Sequence, residues 1–212
     1  MAALSEGSTA VVSREMASVV VPFRGTDPKR RLDSVTERDR QRLAEAMLAD
    51  VLEAAAVVGP VFVAAPVEPV LPPGVTYVPD PHRGQGAAVR AGLDAALAAG
   101  ASAPYLVVNA DLPCVTARDL LALAGAVPDR GLAFAPAADG TTNALALADE
   151  GLFEPCYGPG SAERFAALAP SRRVEAPNLM DDVDTLADLA RLAPRLGTRS
   201  RSVLESLRQE AA

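Results

Sequence analysis

Tyr105-Leu106-Val107-Val108-Asn109-Ala110-Asp111-Leu112-Pro113 decides how this chain is read. Four consecutive apolar residues make a short strand buried on both faces, and Asp111 emerges at its C-terminal end. A second acidic set, Asp182 and Asp184 within Asp181-Asp182-Val183-Asp184-Thr185, interrupts another short apolar run. If both runs belong to one sheet, the carboxylates meet at its edge, where open α/β sheets bind phosphates and hard cations. Asp182 and Asp184 stand two apart, so in an extended segment both point to one face while Val183 points the other way into apolar packing. Two like charges on one face repel, and a divalent cation is the simplest thing that makes the arrangement favourable. Two plainer readings stay open. Asp111 is also placed to cap the helix that follows it, and Asp184 with Thr185 to cap the next.

Outward from this stretch, strands alternate with helices. Ser18-Val19-Val20-Val21-Pro22-Phe23 is a continuous β-branched strand, followed by a loop from Arg24 to Asp33. Thr36 is the N-cap of a helix whose Leu43, Met47, Leu48, Val51 and Leu52 keep helical spacing. Val61 to Ala65 and Val75 to Val78 are further strands. Gly84-Gln85-Gly86 leads into a helix from Ala87 to Ala99, and a glycine loop entering a helix N-terminus is a natural anion site. Thr116 caps the helix carrying Leu120, Leu121 and Leu123. Leu132 to Pro136 and Thr142 to Leu147 are strands, and Ser161 to Leu168 a short helix. Arg173 to Ala176 and the segment before Asp182 are extended, and Thr185 caps a helix through Leu192. This alternation predicts an α/β fold with a mostly parallel sheet covered on both faces.

With 212 residues, half of them apolar, the chain can bury one sizeable core. We divide it into a disordered extension over residues 1–17, a single domain over 18–196, and a polar helix or frayed tail over 197–212. A net charge of −7 argues against a surface that grips nucleic acid. Any anionic ligand is therefore held locally. Two cysteines, Cys114 and Cys156, are too few for a disulfide framework and lack metal-ligand spacing, which fits a reducing cytoplasm. The start lacks a signal-peptide pattern, and no apolar run approaches the ~20 residues needed to cross a bilayer.

Local basic groups are at hand in Arg24, Lys29, Arg30 and Arg31, and Lys29 is the chain's single lysine. They lie in the loop after the first strand, where doubly wound folds present phosphate ligands, although an isolated basic run is more often a solvated loop. The loop matches neither the Walker pattern nor the dinucleotide fingerprint, which disfavours a plain ATPase or dehydrogenase. Gly158-Pro159-Gly160-Ser161 is a turn before a helix whose N–H groups can receive a carboxylate or phosphate. His82 is the only histidine and reads as a loop residue, so a histidine relay is excluded.

Taken together, Val21-Pro22, Lys29-Arg30-Arg31-Leu32, Asn109-Ala110-Asp111-Leu112-Pro113, Thr142-Asn143-Ala144-Leu145, Tyr157-Gly158-Pro159-Gly160-Ser161 and Asp182-Val183-Asp184-Thr185 resemble the 2-phospho-L-lactate / phosphoenolpyruvate guanylyltransferase family of coenzyme F420 biosynthesis. The resemblance covers roughly Ser18 to Leu192. It implies a three-layer α/β/α sandwich of the MobA-like, nucleotide-diphospho-sugar transferase type, with a mostly parallel, mixed central sheet. It also implies transfer of GMP from GTP to phosphoenolpyruvate, 2-phospho-L-lactate or 3-phospho-D-glycerate, with release of pyrophosphate. Carried over by position, Asp111, Asp182 and Asp184 look like ligands of Mg²⁺, as two ions. Thr142, Gly158 and Ser161 look like the holders of the acid, and Lys29 and Arg31 like triphosphate contacts. Pro22, Lys29, Gly84, Gln85 and Gly86 would line the nucleotide. At the helix after the third strand this chain has Gln85-Gly86 where the family commonly has Leu-Asn, which leaves the choice of base open.

The chemistry so implied needs no general base, because a phosphate nucleophile is already ionised at neutral pH. What it needs is cations that screen two anions from each other. A related transferase acting on a sugar phosphate or molybdopterin is the nearest alternative. A catalytically inactive nucleotide-binding module is the alternative from another class. Neither a membrane nor a nucleic acid is an expected partner. A homodimer, and contact with the next enzyme of the pathway, are left open.

Overall fold

The computed structural model describes residues 17–25 and 36–210. Lys29 and Arg31, and the extension expected before residue 17, lie outside the described residues. Seven strands form one sheet: β1 Ser18–Pro22, β2 Val61–Ala65, β3 Val75–Pro79, β4 Tyr105–Val108, β5 Leu132–Pro136, β6 Thr142–Leu147 and β7 Ser171–Arg173, in the order β3-β2-β1-β4-β6-β5-β7. β1 pairs parallel with β2 and β4, β2 with β3, and β5 with β7, whereas β6 runs antiparallel to both β4 and β5. One strand is thus reversed in an otherwise parallel sheet.

The helices are α1 Glu37–Val58, α2 Gln85–Ala98, α3 Ala117–Gly125, α4 Ser161–Ala166, α5 Pro177–Met180, α6 Leu186–Leu192 and α7 Thr198–Glu210. Alternate strand residues sort the core into two layers, as a period of two requires. Val19, Val21, Val63, Leu106 and Val108 share a cluster with Leu48 and Leu52 of α1 and Leu120 of α3. Val20, Phe62, Ala64 and Val107 share the other with Val89 and Leu93 of α2 and Phe165 of α4. The expected α/β/α sandwich with a mixed central sheet is what the chain forms. Gly92 allows α2 to close on the sheet, since a Cβ there would lie 2.4 Å from the Val20 side chain.

The caps fall where sequence placed them. Thr36, Thr116 and Thr185 each accept a hydrogen bond from the backbone N–H three residues on, belonging to Asp39, Asp119 and Asp188. Two local expectations are corrected. The segment before Asp182 is not wholly extended: Pro177–Met180 is a helical turn, because a proline at its first position has the helical φ already set. The last strand is Ser171–Arg173 in place of Arg173 to Ala176, although the Val174 N–H still reaches the Phe134 carbonyl. Residues 198–210 form α7, tied down from within. The buried Asp50 of α1 accepts from the N–H groups of Arg199 and Ser200, both at 2.9 Å, and so caps α7 across 149 residues of sequence. Gly197 makes room for it, since a Cβ there would lie 2.3 Å from the Asp50 carboxyl carbon. No described helix is long and apolar enough to cross a membrane.

Candidate active site

β4 ends at Val108, and the next three residues turn Asp111 to the rim of the sheet. Val183 is fully buried against Leu43, Met47 and Cys114, and its N–H donates to the Asp111 carbonyl at 3.1 Å. That anchor turns the residues on either side of Val183 the other way. One carboxylate oxygen each from Asp111, Asp182 and Asp184 lies within 4.8 Å of the others, all three side chains being half-buried. Of the capping alternatives, the one for Thr185 holds, while the cap of the helix after Asp111 is not Asp111. α3 is capped by Thr116, and α6 by Thr185 with Asp188 returning a bond to the Thr185 N–H. Burial pushes the Asp182 carboxyl above the ordinary carboxylate value, and the neighbouring Asp111 and Asp184 charges push the same way, while a hydrogen bond from Asn143 opposes them. A hard divalent cation fits this donor set: oxygen ligands at close quarters whose mutual repulsion it would relieve.

Two asparagines connect the acidic group to its surroundings, and sequence reasoning passed over both. Asn143 Nδ2 donates to the Met180 carbonyl at 3.2 Å and to Asp182 Oδ1 at 3.4 Å. Asn109 Oδ1 accepts from Gln85 Nε2 at 2.8 Å, while its Nδ2 donates to the Thr142 carbonyl at 3.3 Å. The signal was present for Asn143, a buried amide inside the apolar strand Thr142-Asn143-Ala144-Leu145, since buried polar groups need partners.

Of the remaining sequence-predicted residues, Pro22, Gln85, Gly86 and Gly158 line two adjoining spaces, and Gly84, Thr142 and Ser161 line neither. Pro22, Gln85 and Asp111 line a cavity of about 190 Å³ that also takes in Asp80 and Asn109. Gln85, Gly86 and Gly158 line a wider hollow of about 730 Å³, and Arg24 borders both. Gly84 turns the chain into α2 at φ +93°, a left-handed conformation that favours glycine. Gly86 serves close packing, because a Cβ there would sit 2.4 Å from Pro155 Cβ, so the loop after Phe153 lies directly on α2. Thr142 and Ser161 are both buried, and the Ser161 hydroxyl donates to Thr142 Oγ1 at 3.1 Å. That contact fixes α4 to the start of β6. The Tyr157 hydroxyl is buried without a partner among the described residues, and burial pushes its pKa well up. His82 is exposed, its N–H donating to Asp80 Oδ1 in a tight turn.

An acidic triad thus stands at the sheet rim beside a cavity lined by the first residue of α2, and comparison with known proteins decides the family. A model of the MobA-like NTP transferase domain matches residues 37–209. The chain belongs to the MobA-like NTP transferase family. Among curated relatives, a phosphoenolpyruvate guanylyltransferase from Sphaerobacter thermophilus is 41% identical over 126 residues, spanning 57% of this chain and 60% of the relative. A 3-phospho-D-glycerate guanylyltransferase from Phenylobacterium zucineum is 32% identical over 212 residues, spanning 91% of this chain and 97% of the relative. Among solved structures, a protein assigned to the nucleotide-diphospho-sugar transferases from Desulfovibrio desulfuricans superposes with a TM-score of 0.70 at 18% identity, over 92% of this chain and 96% of that one. That likeness establishes the fold of this MobA-like transferase, and the sequence relatives place it among nucleotidyltransferases.

Proposed function

We propose that this MobA-like transferase moves GMP from GTP to a small phosphorylated carboxylic acid, with phosphoenolpyruvate, 2-phospho-L-lactate and 3-phospho-D-glycerate as the candidates, and releases pyrophosphate in coenzyme F420 biosynthesis. The observation that carries the reading is the convergence of Asp111, Asp182 and Asp184 beside two adjoining spaces, one holding Pro22 and Gln85, the other Gly158. In the reaction an oxygen of the acid's phosphate bonds to the α-phosphorus of GTP, and the bond from that phosphorus to the pyrophosphate oxygen breaks. Mg²⁺ held by the three aspartates would screen these anions from one another and stabilise the charge that builds on both sides of the α-phosphorus.

The chain's own groups do the holding. Gln85, with its Nε2 committed to Asn109, keeps its carbonyl oxygen for a base donor, an arrangement suited to guanine N–H groups. Thr142 and Ser161 fix the wall against which the acid sits, and the Gly158 N–H is one donor to it. Lys29 and Arg31 take the departing pyrophosphate in this proposal. A cytoplasmic setting, where the two free cysteines stay reduced, belongs to the same reading.

The experiment is pyrophosphate release with Mg²⁺, each nucleoside triphosphate, and each of the three acids in turn. Acid-dependent release confined to GTP supports the proposal and names the substrate. A folded protein that is silent across the matrix refutes it. The width of the hollow beside Gly158 favours, as a second reading, a bulkier phosphorylated acceptor such as a sugar phosphate, and the same assay with that acceptor tests it.

A further inference from the structure

The Asp182-Val183-Asp184 segment is tied at both ends to one short helix. On the side that follows it, the Asp188 carboxylate of α6 accepts through Oδ2 from the N–H groups of Asp184 and Thr185 at 3.3 and 2.9 Å, and from the Thr185 hydroxyl at 2.7 Å. The other oxygen of that carboxylate, Oδ1, accepts from Arg191 Nη2 at 3.4 Å. The same guanidinium reaches to the side that precedes the segment, where Nη1 donates to Asp181 Oδ1 at 2.9 Å. Arg191 thus joins the residue before the segment to the carboxylate that holds the residues after it. Asp188 and Arg191 stand three apart on α6 and so share a helical face, while Leu189 and Leu192 fix that helix in the core. In the middle, Val183 is pinned by burial and by its bond to the Asp111 carbonyl. Arg195 provides the contrast. It binds Asp181 Oδ2 and Asn178 Oδ1, both of which precede the segment, so it bridges nothing across it.

We infer that Arg191 is a positioning residue for the metal-binding carboxylates: by bridging Asp181 and Asp188 it fixes the span of the tripeptide and with it the spacing of Asp182 and Asp184. The inference rests on the metal assignment within the proposed function. Three carboxylates with oxygens within 4.8 Å of one another push the segment apart unless a cation offsets their charge. A brace across the two ends opposes that push and holds the ligands in binding geometry. Arg191 is itself exposed, so its ion pairs add little to global stability. Its loss should therefore register in the spacing of the ligands more than in the fold. The guanidinium meets the two carboxylates with two separate nitrogens of one rigid fork, whereas lysine has a single nitrogen to offer both.

The sign of the effect separates the brace from simple electrostatics. Removing a positive charge near the site would by itself tighten cation binding, whereas losing the brace weakens it. The test titrates Mn²⁺, as a stand-in for Mg²⁺, into substrate-free wild type, Arg191→Met, Arg191→Lys and Arg195→Met, with free ion counted by electron paramagnetic resonance and thermal unfolding in chelator recorded alongside. The expected result is a Kd for Mn²⁺ raised about tenfold in Arg191→Met, the low end for groups that orient metal ligands from outside, with partial recovery in Arg191→Lys and no rise in Arg195→Met. The Mn²⁺ concentration for half-maximal pyrophosphate release should shift in parallel, with kcat recovering at saturating ion. If Arg191→Met does not fold, a weaker Kd in Arg191→Lys than in Arg195→Met supports the same role. A Kd unchanged or lowered in the Arg191 variants, or an equal rise in Arg195→Met, overturns the role of Arg191. A wild type that takes up no Mn²⁺ overturns both the brace and the metal assignment. Because the titration contains neither GTP nor acid, its outcome does not depend on which acceptor the enzyme uses.

Discussion

Replacing Asp182 by asparagine should make the metal-free protein more stable while disabling it, and the size of the gain follows from the acidic group. Two unit charges 4.8 Å apart, the outer limit among the three carboxylates, repel by about 3.5 kcal/mol at an effective dielectric of about 20 and by about 0.9 kcal/mol in bulk water. At a half-buried site the low end applies, so removing two such pairs yields roughly 1–2 kcal/mol. Asparagine keeps an oxygen for the bond from Asn143, so little is lost in exchange. For a chain of this length the melting temperature in chelator should rise by about 2–8 °C.

The pH dependence has a fixed sign. The Asp182 carboxyl is raised above its ordinary value of 3.8, so the folded chain holds that proton more tightly than the unfolded one. Its contribution to stability is complete below pH 3.8 and is lost as pH rises through the folded value, so the gap between variant and wild type should open with rising pH. Saturating Mg²⁺ should reverse the order, since binding at a hundredfold excess over Kd stabilises wild type by about 2.7 kcal/mol and the variant by less. Thermal melts with chelator and with Mg²⁺ at several pH values test this. A variant no more stable than wild type in chelator, or a wild type indifferent to Mg²⁺, would refute the electrostatic argument and with it the metal assignment.

Asp111→Asn and Asp184→Asn should each abolish pyrophosphate release while leaving the far-ultraviolet circular dichroism unchanged; a near-normal rate in either would remove that residue from the metal set. Asp50→Ala, which strips the cap from α7 and leaves two amides without acceptors, should cost about 1–3 kcal/mol in urea unfolding, and a cost below 0.5 kcal/mol would show that apolar packing alone holds α7. Gly86→Ala should push the Pro155 loop off α2, costing about 1–3 kcal/mol and lowering kcat/KM for the acid more than the affinity for GTP; equal losses would mean that the loop does not serve the acceptor.

The sheet was legible because parallel strands buried on both faces leave unbroken apolar runs, such as Ser18 to Phe23 and Tyr105 to Val108. The acidic triad was legible for a related reason: Val183 between two aspartates announces which way each must point. Strand order and the reversal of β6 were not readable, because local pattern carries no record of which strand lies beside which. Asn109 escaped notice because its importance lies in partners distant along the chain, which leave no mark on spacing. Asp50 looked like an ordinary polar residue of α1. Only the return of α7 over it, 149 residues later, gives it a purpose.

The lone reversed strand divides responsibility within the chain. The strands on the β1 side deliver their final residues to the rim, whereas β6 arrives there with its first, Thr142 and Asn143. The half of the chain through Asp111 thus furnishes the walls of the smaller cavity, and the contiguous stretch from β6 through α4 furnishes Thr142, Gly158 and Ser161. On the proposed function, exchanging that one contiguous cassette would recast one wall of the acceptor space and leave the smaller cavity as it stands.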